Sequence, residues 1–248
     1  MKAVLLAASA AGVGAPAAPL HGPSVEAVSS LQVSAGYRVG EMPPFSASER
    51  DIGAFGLGGR WAPHPSVELR AAWEGLRATW PAGNTALGSG DLHLGTRARP
   101  YAGAGAVPGV WLDWEVKLPN APEDTGLGTD ETDVLGLLYL AWSGERWRLQ
   151  AGGGLAILGS PVQHAAQDDA ALVHARGALM LGPTWLSAGL DGRLASPRNP
   201  LDLSLDVGAS WTRGRLQLGV EGLAGLSPAA PDYGGRLVVG LVPLPEGS

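Results

Sequence analysis

Residues 110–142, VWLDWEVKLPNAPEDTGLGTDETDVLGLLYLAW, hold the pattern that decides the fold. Val110, Leu112, Trp114, Val116 and Leu118 alternate with Trp111, Asp113, Glu115 and Lys117. A period of two puts the apolar set on one face of a strand and the charged set on the other. Thirteen residues rich in Pro, Gly, Asp and Glu follow, 119–131, and a second arm returns from Thr132 to Trp142. The first arm is about the length of a tilted membrane-crossing strand, which needs roughly 9–11 residues.

The same unit repeats along the chain. Alternation predicts strands over 28–40, 52–61, 67–77, 90–99, 110–118, 132–142, 147–158, 169–179, 185–193, 201–211, 215–225 and 233–242. The clearest is 201–211, where Leu201, Leu203, Leu205, Val207, Ala209 and Trp211 oppose Asp202, Ser204, Asp206 and Ser210. Connections over 41–51, 78–89, 119–131, 159–168, 194–200 and 226–232 are mostly longer than those between them. Short turns on one side and long loops on the other are the pattern of outer-membrane barrels. The expected fold is all-β: a transmembrane antiparallel up-and-down β-barrel of about 12 strands over 28–242. Both ends of the barrel then fall on the periplasmic side.

The bulk numbers agree. The 248 residues include 38 Gly and 20 Pro, which disfavour helix interiors. Mean hydropathy is +0.09, and no stretch beyond the N-terminus has 18 consecutive apolar residues. A barrel needs an apolar residue only at every second strand position, so a modest average suits it. Absence of Cys removes disulfides and thiolate metal sites. A net charge of −6 gives no basic footprint for nucleic acid. Met1 and Lys2, the apolar run from Ala3 to Ala15, and the small residues Ala15, Ala17 and Ala18 read as a signal peptide over 1–18. A linker, 19–27, follows it, and 243–248 forms a C-terminal tail. These features point to the outer membrane of a Gram-negative bacterium. The expected partners are its lipid and lipopolysaccharide, the barrel-assembly machinery and a small-molecule solute.

Six of the nine tryptophans, Trp61, Trp111, Trp142, Trp147, Trp185 and Trp211, sit at strand ends beside the presumed periplasmic turns. They are expected to form a membrane-interface belt. The opposite, polar face supplies candidate lumen-lining residues: Arg38, Arg70, Asp91, His93, Arg97, Asp113, Glu115, Lys117, Arg148, His174, Arg176, Asp191, Asp202, Asp206, Glu221 and Arg236. Glu68, Glu74, Arg99, Arg193 and Arg215 belong to the same set. Cations and anions nearly balance, which argues against strong ion selectivity and for interior salt bridges.

No catalytic group, cofactor site or metal site stands out. Of the five histidines, His21 lies in the linker and His64 and His164 in connections. His93 and His174 share the polar face, away from where a membrane-borne ester would lie. Glu123, Asp124, Asp130, Glu131 and Asp133 make an acidic loop without EF-hand spacing. Non-enzymatic passage of small solutes is expected. The alternatives are the same barrel plugged and working through its surface, with loops 78–89 and 119–131 exposed, or a soluble secreted β-protein with the polar face outward.

Glu115-Val116-Lys117-Leu118-Pro119, then Gly126-Leu127-Gly128-Thr129-Asp130 and Thr132-Asp133, resembles the K-x-P-T-G … L-G-T/S-G-x-x-D hairpin of the MetA-pathway-of-phenol-degradation family. Gly90-Asp91-Leu92-His93-Leu94-Gly95-Thr96-Arg97 resembles that family's G-D-L-x-L-G-x-K/R strand. The resemblance covers about 90–142. It departs at Asn120 and Asp130, where the family has Thr and Gly, and the chain does not end in the usual terminal aromatic. It implies an outer-membrane transporter-like barrel for small, hydrophobic or aromatic molecules, and carries over no substrate residue.

Overall fold

The computed structural model describes residues 29–41, 49–121, 127, 131–159, 167–194 and 201–242. The expected signal, linker and tail, together with His21, His164, Glu123, Asp124 and Asp130, lie outside them. The strands are β1 (Ser30–Glu41), β2 (Arg50–His64), β3 (Val67–Thr79), β4 (Thr85–Tyr101), β5 (Gly109–Leu118) and β6 (Asp133–Ser143). They continue as β7 (Trp147–Gly159), β8 (Gln167–Leu181), β9 (Thr184–Arg193), β10 (Asp202–Arg213), β11 (Leu216–Gly225) and β12 (Tyr233–Leu241). Each pairs antiparallel with its sequence neighbours, and β1 pairs with β12, so the sheet is a closed barrel. The closing ladder runs unbroken from Leu31↔Leu241 to Val39↔Tyr233. Closure removes the unpaired strand edges that a membrane cannot solvate.

The alternation of the opening hairpin becomes inside against outside. Leu112 and Trp114 are 49% and 56% exposed, whereas Asp113 and Glu115 are 5% and 2% exposed. The apolar face is outermost, so a soluble sandwich with the polar face outward is not the fold. The outer surface is an apolar band of residues such as Leu57, Leu69, Leu138, Leu155, Val207 and Leu237. Connections at one end are 65–66, 102–108, 144–146, 182–183 and 214–215, and all of these but 102–108 are shorter than any connection at the other end. Gly182 and Gly214, at φ 59 and 58, supply the left-handed residue that two of the tight turns need.

Two connections are shorter than expected. Glu41, Arg50 and Asp51 lie within strands. The 78–89 connection shrinks to 80–84, because Thr79 already pairs with Thr85. A β-bulge hides this strand extension in the sequence. Trp73 faces Leu92 and Gly75 faces Ser89, so Glu74 lies opposite two residues, Gly90 and Asp91. The period of two is broken there, and the segment before the bulge is small and Gly-rich.

The outward face can be tested directly. Leu138 lies mid-strand, opposite Leu112 and Gly153, and is 51% exposed. Leu138→Arg should destabilise the barrel in a bilayer by about 2–4 kcal/mol, the usual penalty for Arg at the membrane midplane. Urea unfolding from vesicles measures it. A shift near zero would mean that this face does not meet hydrocarbon.

Candidate functional site: the barrel interior

Except for β6, which is apolar on both faces, the strands send most of their polar set inward, and the interior is a chain of charge clusters. At the base of β3–β5, Asp113 is shared by Arg70, through Nη2, and Arg97, whose Nε donates at 3.2 Å. One level up, His93 Nδ1 lies 2.9 Å from Glu115 Oε1. Near the loops, Lys117 Nζ bridges Asp91 at 3.2 Å and Asp133 at 3.0 Å. Across the barrel, His174 meets Asp191 at 2.5 Å, and Arg176 spans Asp191 at 3.5 Å and Asp206 at 2.7 Å. Arg236 pairs with Glu221, and Arg38 with Glu41, which also accepts from Arg50. Alternation places such residues level by level, so most find a partner on an adjacent strand, while Arg70 and Arg176 reach across one strand to Asp113 and Asp206 and Arg38 pairs within β1.

All sixteen lumen candidates of the sequence point inward. Arg148 is among them, its guanidinium 4.4 Å above the Trp185 ring. Arg215 does not, because it sits exposed in the β10–β11 turn. Asp133, taken from sequence as part of the acidic loop, opens β6 and also accepts from the Gly159 amide at 2.9 Å. Glu41, Arg50 and Arg60 line the interior and escaped sequence reading. The first two fall in the connection expected over 41–51, and Arg60 follows a Gly-rich run without alternation.

The tryptophan belt needs correction at two positions. Trp111 is fully buried, parallel to Tyr139 with ring centroids 6.3 Å apart. Arg97 and Arg99 lie 5.7 and 5.4 Å from its ring centroid. Trp185 has the inward parity of Asp191 and Arg193 and stacks with Arg148. The physical reason is the charge beside them: an indole face attracts guanidinium more strongly in a dry interior than at the surface. Both residues were already in phase with the polar face. Trp61, Trp142, Trp147 and Trp211 have outward parity at the strand ends beside the short turns.

The interior also has an apolar sector. Leu135, Leu137 and Tyr139 of β6, Leu158 of β7, Leu172 of β8 and Trp111 form one buried cluster. Sequence alternation could not reveal it, because β6 is apolar on both faces. A second cluster sits near the mouth with the longer connections, where Ala121 and Leu127 pack on Ile52, Leu76 and Ala78. The 119–121 segment is fixed there by the bulge: Asp91 Oδ1 accepts from the amides of Asn120 and Ala121 at 3.1 and 3.3 Å. Asn120 Nδ2 donates to Ser89 Oγ at 2.6 Å. That bond gives a structural use to the Asn at 120.

The interior is full. Arg38, Glu68, Glu74, Arg193 and Arg236, at levels from mouth to base, are each exposed by 2% or less. A wide aqueous lumen would leave them wet, as in barrels with more strands.

No protein-family model matches this sequence, and no curated protein does. Solved structures do resemble the fold. The translocator domain of autotransporter NalP from Neisseria meningitidis is 14% identical, over 87% of each chain, with a TM-score of 0.51. Outer membrane phospholipase A from Escherichia coli is 13% identical over 88% of this chain and 90% of that one, at TM-score 0.47. The outer membrane channel DcaP of Acinetobacter baumannii is 9% identical over 87% and 96%, at 0.39. The class defined by closure, strand number and apolar exterior is therefore the outer-membrane β-barrel.

Proposed function

We propose that this protein resides in the outer membrane of a Gram-negative bacterium and gives small apolar or aromatic solutes restricted, passive passage. The observation that carries the reading is the divided inner wall. Leu135, Leu137, Leu158 and Leu172 line one sector, with Trp111 and Tyr139 below them, while ion pairs fill the remainder. A planar or aliphatic solute that parts these packed side chains meets apolar surface and breaks no charge pair. A hydrated ion or a sugar has no such track. The similarity of 90–142 to the phenol-degradation family points the same way. Lipopolysaccharide and inner-leaflet lipid surround the barrel, and the assembly machinery inserts it. The reading is non-enzymatic: His93 and His174 are both inward and held by carboxylates.

Proteoliposomes rich in lipopolysaccharide, which slows apolar probes, provide the test. The barrel should speed entry of a small aromatic probe several-fold while leaving sugar-driven swelling at the level of empty vesicles. Planar bilayers should show little or no steady ionic conductance. The near-complete burial of the interior charges favours a second reading, a plugged barrel that works through its surface. An unchanged aromatic influx with a folded, inserted protein would select it.

A further inference from the structure

The outer wall carries a concave feature at its periplasmic end. A groove of about 420 Å³ crosses β10–β12 on the membrane-facing side, with Trp211, Leu218, Val220, Leu237 and Val239 as its ridges. Ala209 leaves the gap, because it is the small residue in an outward row of Leu205, Val207 and Trp211. Register places the groove at the Trp211↔Leu218 and Ala209↔Val220 rungs. Two residues beyond Trp211 the strand reaches the turn Arg213-Gly214-Arg215. At about 3.3 Å of rise per residue, that turn lies one headgroup's depth below the groove. Arg213 and Arg215 are both exposed, and neither forms an ion pair among the described residues. The other short turns at this end differ: 65–66 is Pro-Ser, 182–183 is Gly-Pro, and 144–146 carries a single arginine, Arg146, beside Glu145.

We propose that the groove and this turn together bind one anionic phospholipid of the inner leaflet. An acyl chain lies in the groove against Leu218, Val220 and Leu237. The phosphate sits between Arg213 and Arg215, and the Thr184 hydroxyl on the groove rim is placed for the glycerol-ester region. Charge selects the headgroup, since paired guanidiniums complement a phosphodiester that lacks a balancing cation. This inference rests on the membrane placement proposed above, but not on transport.

The barrel, folded in detergent micelles doped with either phosphatidylglycerol or phosphatidylcholine of equal chain length, is examined by native mass spectrometry. One phosphatidylglycerol should stay bound, with phosphatidylcholine retained at least several-fold less. Arg213→Gln with Arg215→Gln should lower phosphatidylglycerol occupancy roughly tenfold, given the strength of arginine attraction to anionic lipid. Ala209→Phe should fill the groove and lower retention of both lipids. Heat-modifiable gel mobility reports folding of each variant, and the comparison of the two lipids on the unaltered chain stands even if a variant fails to fold. Equal retention of the two lipids, or occupancy unmoved by the arginine changes, would overturn the site. A chain that never enters membranes would instead overturn the membrane placement.

Discussion

Asp113→Ala should destabilise the barrel by about 3–5 kcal/mol, the loss expected when one partner of a buried ion pair is removed. Asp113 is the carboxylate shared by Arg70 and Arg97, and it is 5% exposed. Its removal leaves two guanidiniums inside the wall without their common anion. Arg97 is further held over the Trp111 and Tyr139 rings, 5.7 Å from each centroid, so it cannot turn toward water without losing both. Urea unfolding in lipid vesicles measures the change. Arg70→Gln added to Asp113→Ala should recover part of the loss, because the second change removes a charge that the first one orphaned. A loss below about 0.5 kcal/mol, the range of ordinary surface substitutions, would mean that water reaches and screens this level of the interior.

The second large effect is steric. Gly154→Val should abolish the folded, heat-modifiable form. A Cβ at Gly154 would fall on the Gly136 carbonyl of β6, and one at Gly152 would fall on the Leu138 carbonyl. Such collisions are with backbone, so no side chain can turn aside, and the damage exceeds the 1–3 kcal/mol typical of overpacking. Gly177→Ala on neighbouring β8 is the matched control, since a Cβ there meets nothing within 4 Å. It should fold normally. If Gly154→Val also folds with unchanged mobility, the close approach of β6 and β7 is incorrect.

These two positions show where sequence reading succeeds and where it stops. Asp113 was legible, because a charged residue flanked by Leu112 and Trp114 in strict alternation can only face away from lipid. The strand count and most strand ends followed from the same local rule. Gly152 and Gly154 fall inside the strand expected over 147–158, but alternation cannot single them out, since the need for glycine comes from a neighbouring strand's backbone. Trp111 and Trp185 were misplaced because position at a strand end was weighed above parity. The apolar inner sector was invisible, because β6 offers Leu at both parities and alternation has nothing to measure. The tie from Asn120 to Ser89 depends on a bulge that only the paired strand reveals.

The ladder between β1 and β12 carries a consequence for how the molecule comes into being. Its nine rungs join the first strand to the last. None of them can form until the whole chain has been delivered, and such distant pairing is slow. Until then, β1 and the last strand delivered are both open templates for a strand from another chain. A copy arrested before β12 would therefore not yield a smaller barrel. It would persist as an unsealed sheet, prone to capture by its siblings, and the cell's quality-control proteases would meet that form first.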